Sequence, residues 1–362
     1  MQYIIIDMFK TGLPYALLAL GIFISYRVLD IADLSCEGSF TLGGALSAVL
    51  LVLGWNPFLA TFMGMLAGFI AGILTGLIHT KLKITSLLAG IITMTGLFSL
   101  NLVIMGLAPT VTQTTVGGVK DYLITYNESG YAALVNLNGY NVNKEPILRI
   151  YDTFLAVFSK NNYNMIFISL LIVVIIGFAI YWFFGTEIGM GIRATGINSK
   201  MARAQGINTN AMIILGLGIS NALIALSGSL FAQTQKSASS TMGVGVLVIG
   251  LASIIIGEGI FGRKTYKSQL ISLIVGTCIY YLLRAIAIMG YFAILNLAYM
   301  NMNQERLIAD IKVFATVFLG IGIYILEKAY KNDSGQTAIT AIEVLCLSIH
   351  SLSIMYIITF FI

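Results

Sequence analysis

The stretch GMLAGFIAGILTGLIHTKLKITSLLAGIITMTGLFSLNLVIMG, residues 64–106, holds two long apolar runs joined by the short basic segment 79–83. The runs lie at 58–79 and 84–106, and a helix of about 20 apolar residues crosses the roughly 30 Å hydrocarbon core of a membrane. Neither run alternates apolar with polar residues, as a strand of a membrane barrel would. The stretch therefore predicts two neighbouring membrane-spanning helices.

The rest of the chain repeats this pattern. Of its 362 residues, 58% are hydrophobic and only 10% are charged, whereas about 25% are charged in an ordinary soluble domain. The further apolar runs are 14–29, 39–55, 163–184, 211–232, 243–262, 268–295, 311–326 and 338–362. We predict an all-α polytopic membrane bundle of nine or ten spans. Residues 1–331 would form the transmembrane domain, and 332–362 an apolar C-terminal extension or extra span.

Four glycines in the first run follow one another at intervals of four residues. They are Gly64, Gly68, Gly72 and Gly76, and this spacing places them along one stripe of a helix. Small residues let membrane helices approach closely, so we expect a tight helix–helix seam here. A permeation path lined by backbone is the alternative.

Basic residues occupy every second connection between the apolar runs. The clusters are 79–83, 193–203, 263–267 and 327–331. Cytoplasmic loops of membrane proteins carry an excess of Lys and Arg, so these connections are expected inside the cell. The loop 185–210 is then cytoplasmic and the segment 107–162 external. Counting back places residues 30–38 inside and Met1 outside, unless an early run is re-entrant or broken.

The segment DIADLSCEGSFTLGG, residues 30–44, interrupts the second apolar run. Asp30, Asp33 and Glu37 break the apolar pattern, and Gly38 and Gly43 are expected to loosen the helix that follows. Irregular backbone at membrane depth is tolerated where it lines a cavity rather than lipid. We therefore predict a broken second helix.

Two roles are open for the acids of this segment. They could cap the broken helix and gate a pathway, with Arg27 paired to Asp30. Alternatively, Asp30, Asp33 and Glu37 could form a proton path, because rows of intramembrane acids are typical of proton-coupled carriers.

The cytoplasmic stretch GIRATGINSKMARAQGIN, residues 191–208, carries signals for a short helix. Asn198 can cap its start, the segment 199–205 gives about two turns, and Gly206 can end it in a left-handed conformation. So short a helix is not stable alone and must dock against something. An ordinary basic loop is the alternative interpretation.

Signals for enzymatic, metal or nucleotide chemistry are missing from the sequence. Cys36, Cys278 and Cys346 are scattered without metal-ligand spacing. The segment GEGIFGRKT, residues 257–265, fails as a phosphate loop because Arg263 separates the glycine from the lysine. The net charge of +5 sits at span ends and does not predict nucleic-acid binding. We expect no cofactor, no metal and no enzymatic activity, and an energy source on another chain.

One more acid lies near the cytoplasmic end of a run. Glu258 is about one helical turn from the basic residues at 263–267. We expect an interfacial ion pair or a contact with a cytoplasmic partner there, and a transport role is the alternative.

Residues 187–233 and 242–262, from EIGMGIRATG to LFAQ and from MGVGVL to EGIFG, resemble the permease subunits of ATP-binding-cassette (ABC) transporters. The resemblance is to the bacterial group that imports branched-chain amino acids and sugars. Within it, DIADLSCEGSFTLGGALSAVL (30–50) and LIHTKLKITSLLAG (77–90) are similar to a branch encoded beside a lipoprotein substrate-binding protein.

This resemblance implies an importer subunit that acts as a homodimer in the cytoplasmic membrane of a bacterium. Two ATPase subunits would bind the cytoplasmic coupling helix, and an external lipoprotein would deliver a small solute, by likeness an amino acid. The implied ATPase-coupling residues are Gly196, Asn198, Ala202, Arg203 and Gly206, and the implied pathway or gating residues are Asp33, Glu37, Gly38 and Gly43. The rival is a proton-coupled secondary carrier, which needs no ATPase.

Overall fold

Helices dominate the computed structural model, which describes residues 2–116, 119–126, 130–153, 163–262 and 266–299. They are α1 (Gln2–Ile22), α2 (Ser35–Val52), α3 (Pro57–Leu82), α4 (Ser86–Gly106), α5 (Ile150–Thr153), α6 (Tyr163–Phe183), α7 (Glu187–Ile197), α8 (Ser199–Ala204), α9 (Thr209–Gln235), α10 (Val246–Phe261) and α11 (Tyr266–Tyr299). Four short strands are also present in this part of the chain: β1 (Thr110–Val116), β2 (Val119–Thr125), β3 (Leu134–Asn136) and β4 (Ser237–Ser239).

Seven of the described helices are long and apolar enough to cross a membrane. They correspond to predicted runs and confirm the polytopic helical bundle. The run at 243–262 forms α10, which has only 16 residues and is about 24 Å long. The predicted runs at 311–326 and 338–362, the basic cluster 327–331 and the extension 332–362 lie outside the described residues.

The predicted glycine seam is present between α3 and α9. A Cβ atom on Gly72 would lie 2.3 Å from the carbonyl oxygen of Leu217, and one on Gly68 would lie 2.5 Å from that of Asn221. The two backbones therefore touch, which only glycine permits on the α3 side.

Helix α1 packs against α9, and the two helices run antiparallel. Ser227 Oγ donates to the carbonyl oxygen of Pro14 at 2.7 Å, and Ser220 Oγ donates to that of Gly21, also at 2.7 Å. After Ile22 the chain widens into a π-helical turn, Phe23–Val28. Such turns leave backbone groups out of the regular α-helical pattern and often mark functional sites.

The predicted break is present, and it precedes the second helix. Residues 29–34 are not helical, whereas α2 is continuous from Ser35 to Val52. The expectation that glycines loosen this helix is wrong. A Cβ on Gly43 would lie 2.0 Å from the carbonyl oxygen of Ala225, so the glycine permits close packing.

Strands organise part of the segment 107–162, the stretch predicted to be external. β1 pairs antiparallel with β2, from Thr110 opposite Thr125 to Val116 opposite Val119. β3 pairs antiparallel with β4, which directly follows α9. This segment is therefore tied to the end of α9 remote from α8.

The chain divides into two compact units, Met1–Gly250 and Leu251–Ile362. In the second unit the end of α10 packs on α11, because a Cβ on Gly257 would lie 2.2 Å from the carbonyl oxygen of Ser272. The candidate sites described below lie in the first unit, apart from Glu258.

Candidate pathway site and coupling helix

The break before α2 lies at the middle of the bundle. Asn221 Nδ2 donates to Asp33 Oδ2 at 2.7 Å, and Asn221 is twelve residues from the start of α9 and fourteen from its end. Because α9 is long enough to cross a membrane, this hydrogen bond places the start of α2 near mid-membrane depth. Interrupted helices at this depth are typical of transporter pathways.

Asp33 is buried and holds the first turn of α2. It is 3% exposed, and its Oδ1 accepts from the backbone N–H of Ser35 at 2.8 Å and from Ser35 Oγ at 2.6 Å. Both carboxylate oxygens therefore have donors, one of them on α9. This confirms the prediction that an acid of this segment caps the broken helix, while its predicted role in gating stays a prediction.

The segment between β4 and α10 runs back along α2. A Cβ on Gly44 would lie 1.9 Å from Met242 Cε, and one on Gly243 would lie 2.1 Å from the carbonyl oxygen of Glu37. Residue 44 is nearer the C-terminal end of α2 than residue 37, so the segment runs toward the start of α2 at the middle of the bundle. Helix α10 thus begins at the depth of the break.

Glu37 joins the two helix starts. Its half-buried carboxylate accepts from the backbone N–H of Gly245 at 3.0 Å, through Oε1. Gly245 directly precedes α10, so Glu37 of α2 caps α10 from another part of the chain. Acids favour such positions because the unpaired N–H groups of a helix start carry partial positive charge.

The other predicted pathway residues have different surroundings. Gly38 packs on α4, where a Cβ would lie 2.9 Å from Leu97 Cβ, and its carbonyl oxygen accepts from Asn101 Nδ2 at 3.2 Å. Gly43 packs on α9, as described above. Asp30 is exposed in the break with a φ angle of 56°. Among the predicted pathway residues, Glu37 is the one whose side chain borders the starts of both α2 and α10.

The loop 185–210, predicted to be cytoplasmic, forms two helices rather than one. The second, α8, is the predicted one: Asn198 Oδ1 accepts from the N–H groups of Lys200 at 3.1 Å and Met201 at 3.0 Å. Gly206 follows with a φ angle of 85°, as predicted. Helix α7 was not predicted, and it contains Gly196.

Two of the predicted coupling residues face the protein itself. Ala202 is 2% exposed, and a Cβ on Gly196 would lie 1.8 Å from the carbonyl oxygen of Val28. Arg203 Nη2 donates to Thr209 Oγ1 at 2.9 Å and so ties α8 to the start of α9. Gly196 and Ala202 therefore pack this loop against the protein, whereas Arg203 is exposed and also holds α8 to α9.

The outer face of this loop carries apolar side chains that the sequence analysis missed. Ile197 is 85% exposed and Met201 is 60% exposed, one just before and one within α8. Two large apolar residues in a stretch with three cations are the signal that could have revealed them. Exposed apolar side chains beside cations make this loop a candidate interaction site.

Glu258 lies in the second unit, near the end of α10. Its side chain is 8% exposed, and its carbonyl oxygen accepts from the N–H of Gly262 at 2.9 Å. The predicted contact with a cytoplasmic partner stays a prediction for this buried residue.

At the end of the bundle remote from α8, the structure contains a cavity of about 580 Å³. Val52 at the end of α2 and Met105 near the end of α4 line it, together with β1 and β3. The bundle thus has this cavity, two helix starts at mid-depth and a capped surface helix. These features are those of the class of membrane transport permeases.

Comparison with known proteins identifies the family. Residues 4–326 match the family described as branched-chain amino acid transport system / permease component, and the chain belongs to this family. It is 35% identical over 276 residues to the tyrosine transport system permease protein of Clostridioides difficile (strain R20291), covering 76% of this chain and 80% of that protein. It is 30% identical over 258 residues to the uncharacterized protein RP368 of Rickettsia prowazekii (strain Madrid E), covering 71% and 78%. No solved structure gives a significant match.

Proposed function

We propose that this chain is the membrane permease of an ABC importer that takes up an amino acid across the cytoplasmic membrane of a bacterium. The observation that carries the proposal is the pair of exposed apolar side chains on the basic side of the bundle, Ile197 at the end of α7 and Met201 on α8. A separate ATPase subunit would bind these side chains and supply the energy.

Burial of these side chains can provide useful docking energy. Fully burying a side chain such as Ile or Met contributes about 1.5–3 kcal/mol, and both residues are more than half exposed. The neighbouring cations Lys200 and Arg203 are exposed as well, and they would add a polar rim. This combination of apolar centre and charged rim is typical of protein interfaces.

A short chain of contacts connects α8 with the break. Helix α7 directly precedes α8, and Gly196 near its end touches the backbone at Val28, where the π-helical turn ends. The break follows, and Asp33 holds it to α9. Movement of α8 on ATPase closure would therefore reach the start of α2 through backbone contacts.

The proposed substrate is an aromatic amino acid such as L-tyrosine. The name of the Clostridioides difficile relative supports this class. An external lipoprotein would deliver the solute at the cavity beside β1 and β3, and a second copy of this chain would complete the pathway. These partners are proposed from the family.

The test compares two methionines in the complete transporter. The permease would be expressed with its ATPase and binding protein and reconstituted in proteoliposomes for ATP-driven uptake of L-tyrosine. Met201→Ala should reduce both ATPase co-purification and uptake. Met190→Ala is the matched control, because Met190 is 52% exposed and lies on α7 rather than on α8.

Two outcomes would contradict the proposal. One is full coupling in the Met201→Ala transporter. The other is uptake by the permease alone, driven by a pH gradient without ATP, which would favour the proton-coupled carrier. The hydrogen bonds of Asp33 to Ser35 and Asn221 support the importer, because they give this acid a structural role in the break.

A further inference from the structure

Glu37 carries a carboxylate without a counter-charge in the part of the chain that the structure describes. Its hydrogen bond from Gly245 uses Oε1. Oε2 of Glu37 therefore has lone pairs available to a ligand.

The depth of Glu37 in the bundle makes its charged carboxylate energetically costly to place in a membrane. It lies two residues after Ser35, whose Oγ is 3.4 Å from Asn221 Oδ1 at the middle of α9. An acid at this depth weakens membrane insertion by about seventyfold to several hundredfold. Intramembrane acids are retained where they serve a pathway, a proton relay or a charged ligand.

The surroundings of Glu37 offset part of the cost of its buried negative charge and leave one side open. The N–H of Gly245 and the start of α10 stabilise negative charge. Gly243 lies against the backbone at Glu37 and the next residue, Val244, is 69% exposed. A solute can therefore approach the carboxylate between the two helix starts.

We infer that Glu37 binds the ammonium group of the transported solute at the middle of the membrane, an inference that rests on the proposed amino-acid import. A carboxylate accepts hydrogen bonds and offers negative charge, so its complement is a cationic donor. An ammonium group has three such donors. The described residues contain no group of three or more potential metal ligands, which makes a metal ion a poorer fit.

A proton is the other cation that a carboxylate can bind. Both oxygens of the nearby acid Asp33 accept hydrogen bonds from Ser35 and Asn221. These contacts make Asp33 a structural part of the break, so Glu37 is the acid of this segment that is placed to recognise the solute.

The experiment measures ligand selectivity at Glu37 directly. Binding of radiolabelled L-tyrosine would be measured on the permease–ATPase complex in nanodiscs, without the binding protein. Tyramine, which keeps the ammonium group, and 3-(4-hydroxyphenyl)propionate, which lacks it, would serve as competitors. In the wild type, tyramine should compete and the propionate should not.

Glu37→Gln tests the negative charge alone, because the glutamine amide oxygen can still accept the hydrogen bond from the N–H of Gly245. It should weaken L-tyrosine binding about tenfold to a hundredfold and abolish the preference for tyramine. Glu37→Asp should restore part of both. Glu145→Gln, at an exposed position outside the spans, should change neither. An unchanged thermal unfolding midpoint for Glu37→Gln would show that the fold is intact.

Two results would overturn the inference. Unaltered L-tyrosine affinity in Glu37→Gln would do so, and so would equal competition by both analogues in the wild type. ATP-driven uptake in proteoliposomes separates this failure from that of the proposed function. If the wild type imports L-tyrosine and Glu37→Gln imports it equally well, only the role of Glu37 is contradicted. If the wild type imports no amino acid, the role of Glu37 and the proposed function are both contradicted.

Discussion

Single residues determine how the loop 185–210 contacts the break before α2, and Gly196 shows this most clearly. A Cβ at this position would lie 1.8 Å from the carbonyl oxygen of Val28. Gly196→Ala should therefore force the two backbones apart and cost about 1–3 kcal/mol of stability. Thermal unfolding of the purified permease would show this as a lower midpoint.

Gly177 on α6 provides the matched control for this substitution. A Cβ there would meet nothing within 4 Å, so Gly177→Ala should be neutral or stabilise the helix by up to about 1 kcal/mol. Equal midpoints for the two variants would show that the contact between Gly196 and Val28 is not tight.

The hydrogen bond between Asn221 and Asp33 gives a second prediction for single residues. Asn221→Ala would leave one oxygen of the buried Asp33 carboxylate without its donor, which costs about 1–3 kcal/mol. Asn210→Ala is the control on the same helix, because Asn210 is exposed. Chemical unfolding of both variants would measure the difference, and a loss no larger than that of Asn210→Ala would remove the support for a fixed break.

At the level of elements, α8 depends on its cap. Asn198 satisfies two N–H groups of a helix with only six residues, and a helix this short has little stability of its own. Asn198→Ala should cost about 1 kcal/mol and should lower ATP-driven uptake because α8 frays.

Asn208 is the matched cap of a long helix. Its Oδ1 accepts from the N–H of Ala211, but α9 has 27 residues and is packed along its length. Asn208→Ala should therefore leave uptake nearly unchanged. Similar uptake by both cap variants would indicate that coupling does not require an intact α8.

Some of these elements could be predicted from the sequence and others could not. The spans follow from apolar runs, and the cap of α8 follows from Asn198 and Gly206, because these signals are local. The descent of residues 240–245 toward Glu37 depends on contacts with α2 some 200 positions away in the chain. Local patterns contain no such information.

The same distinction applies to the candidate sites. Asp33 and Glu37 stood out because charges are rare in spans, but their partners Asn221 and Gly245 lie far along the sequence. Gly196 and Ala202 were assigned to the outer face from the resemblance, and packing turns both inward. Exposure, which identified Met201, requires a structure.

The whole molecule has two distinct ends, and their assignment to the two sides of the membrane is testable. The end with α8 also contains the last turn of α3, since Gly76 packs on Ile214 near the start of α9. Lys81 lies in that turn, so cations of separate loops gather at one end. Cytoplasmic loops are rich in such residues, and this end should face the cytoplasm.

Cysteine labelling in intact spheroplasts tests this orientation. Asn138→Cys, at an exposed position beside the cavity, should react with a membrane-impermeant maleimide added outside. Met201→Cys should react only after the membrane is permeabilised, although its side chain is equally accessible in the free protein. The unmodified chain gives the background from its native cysteines. Labelling of Met201→Cys in intact cells would place α8 outside, where no ATPase could bind it, and would contradict coupling through that helix.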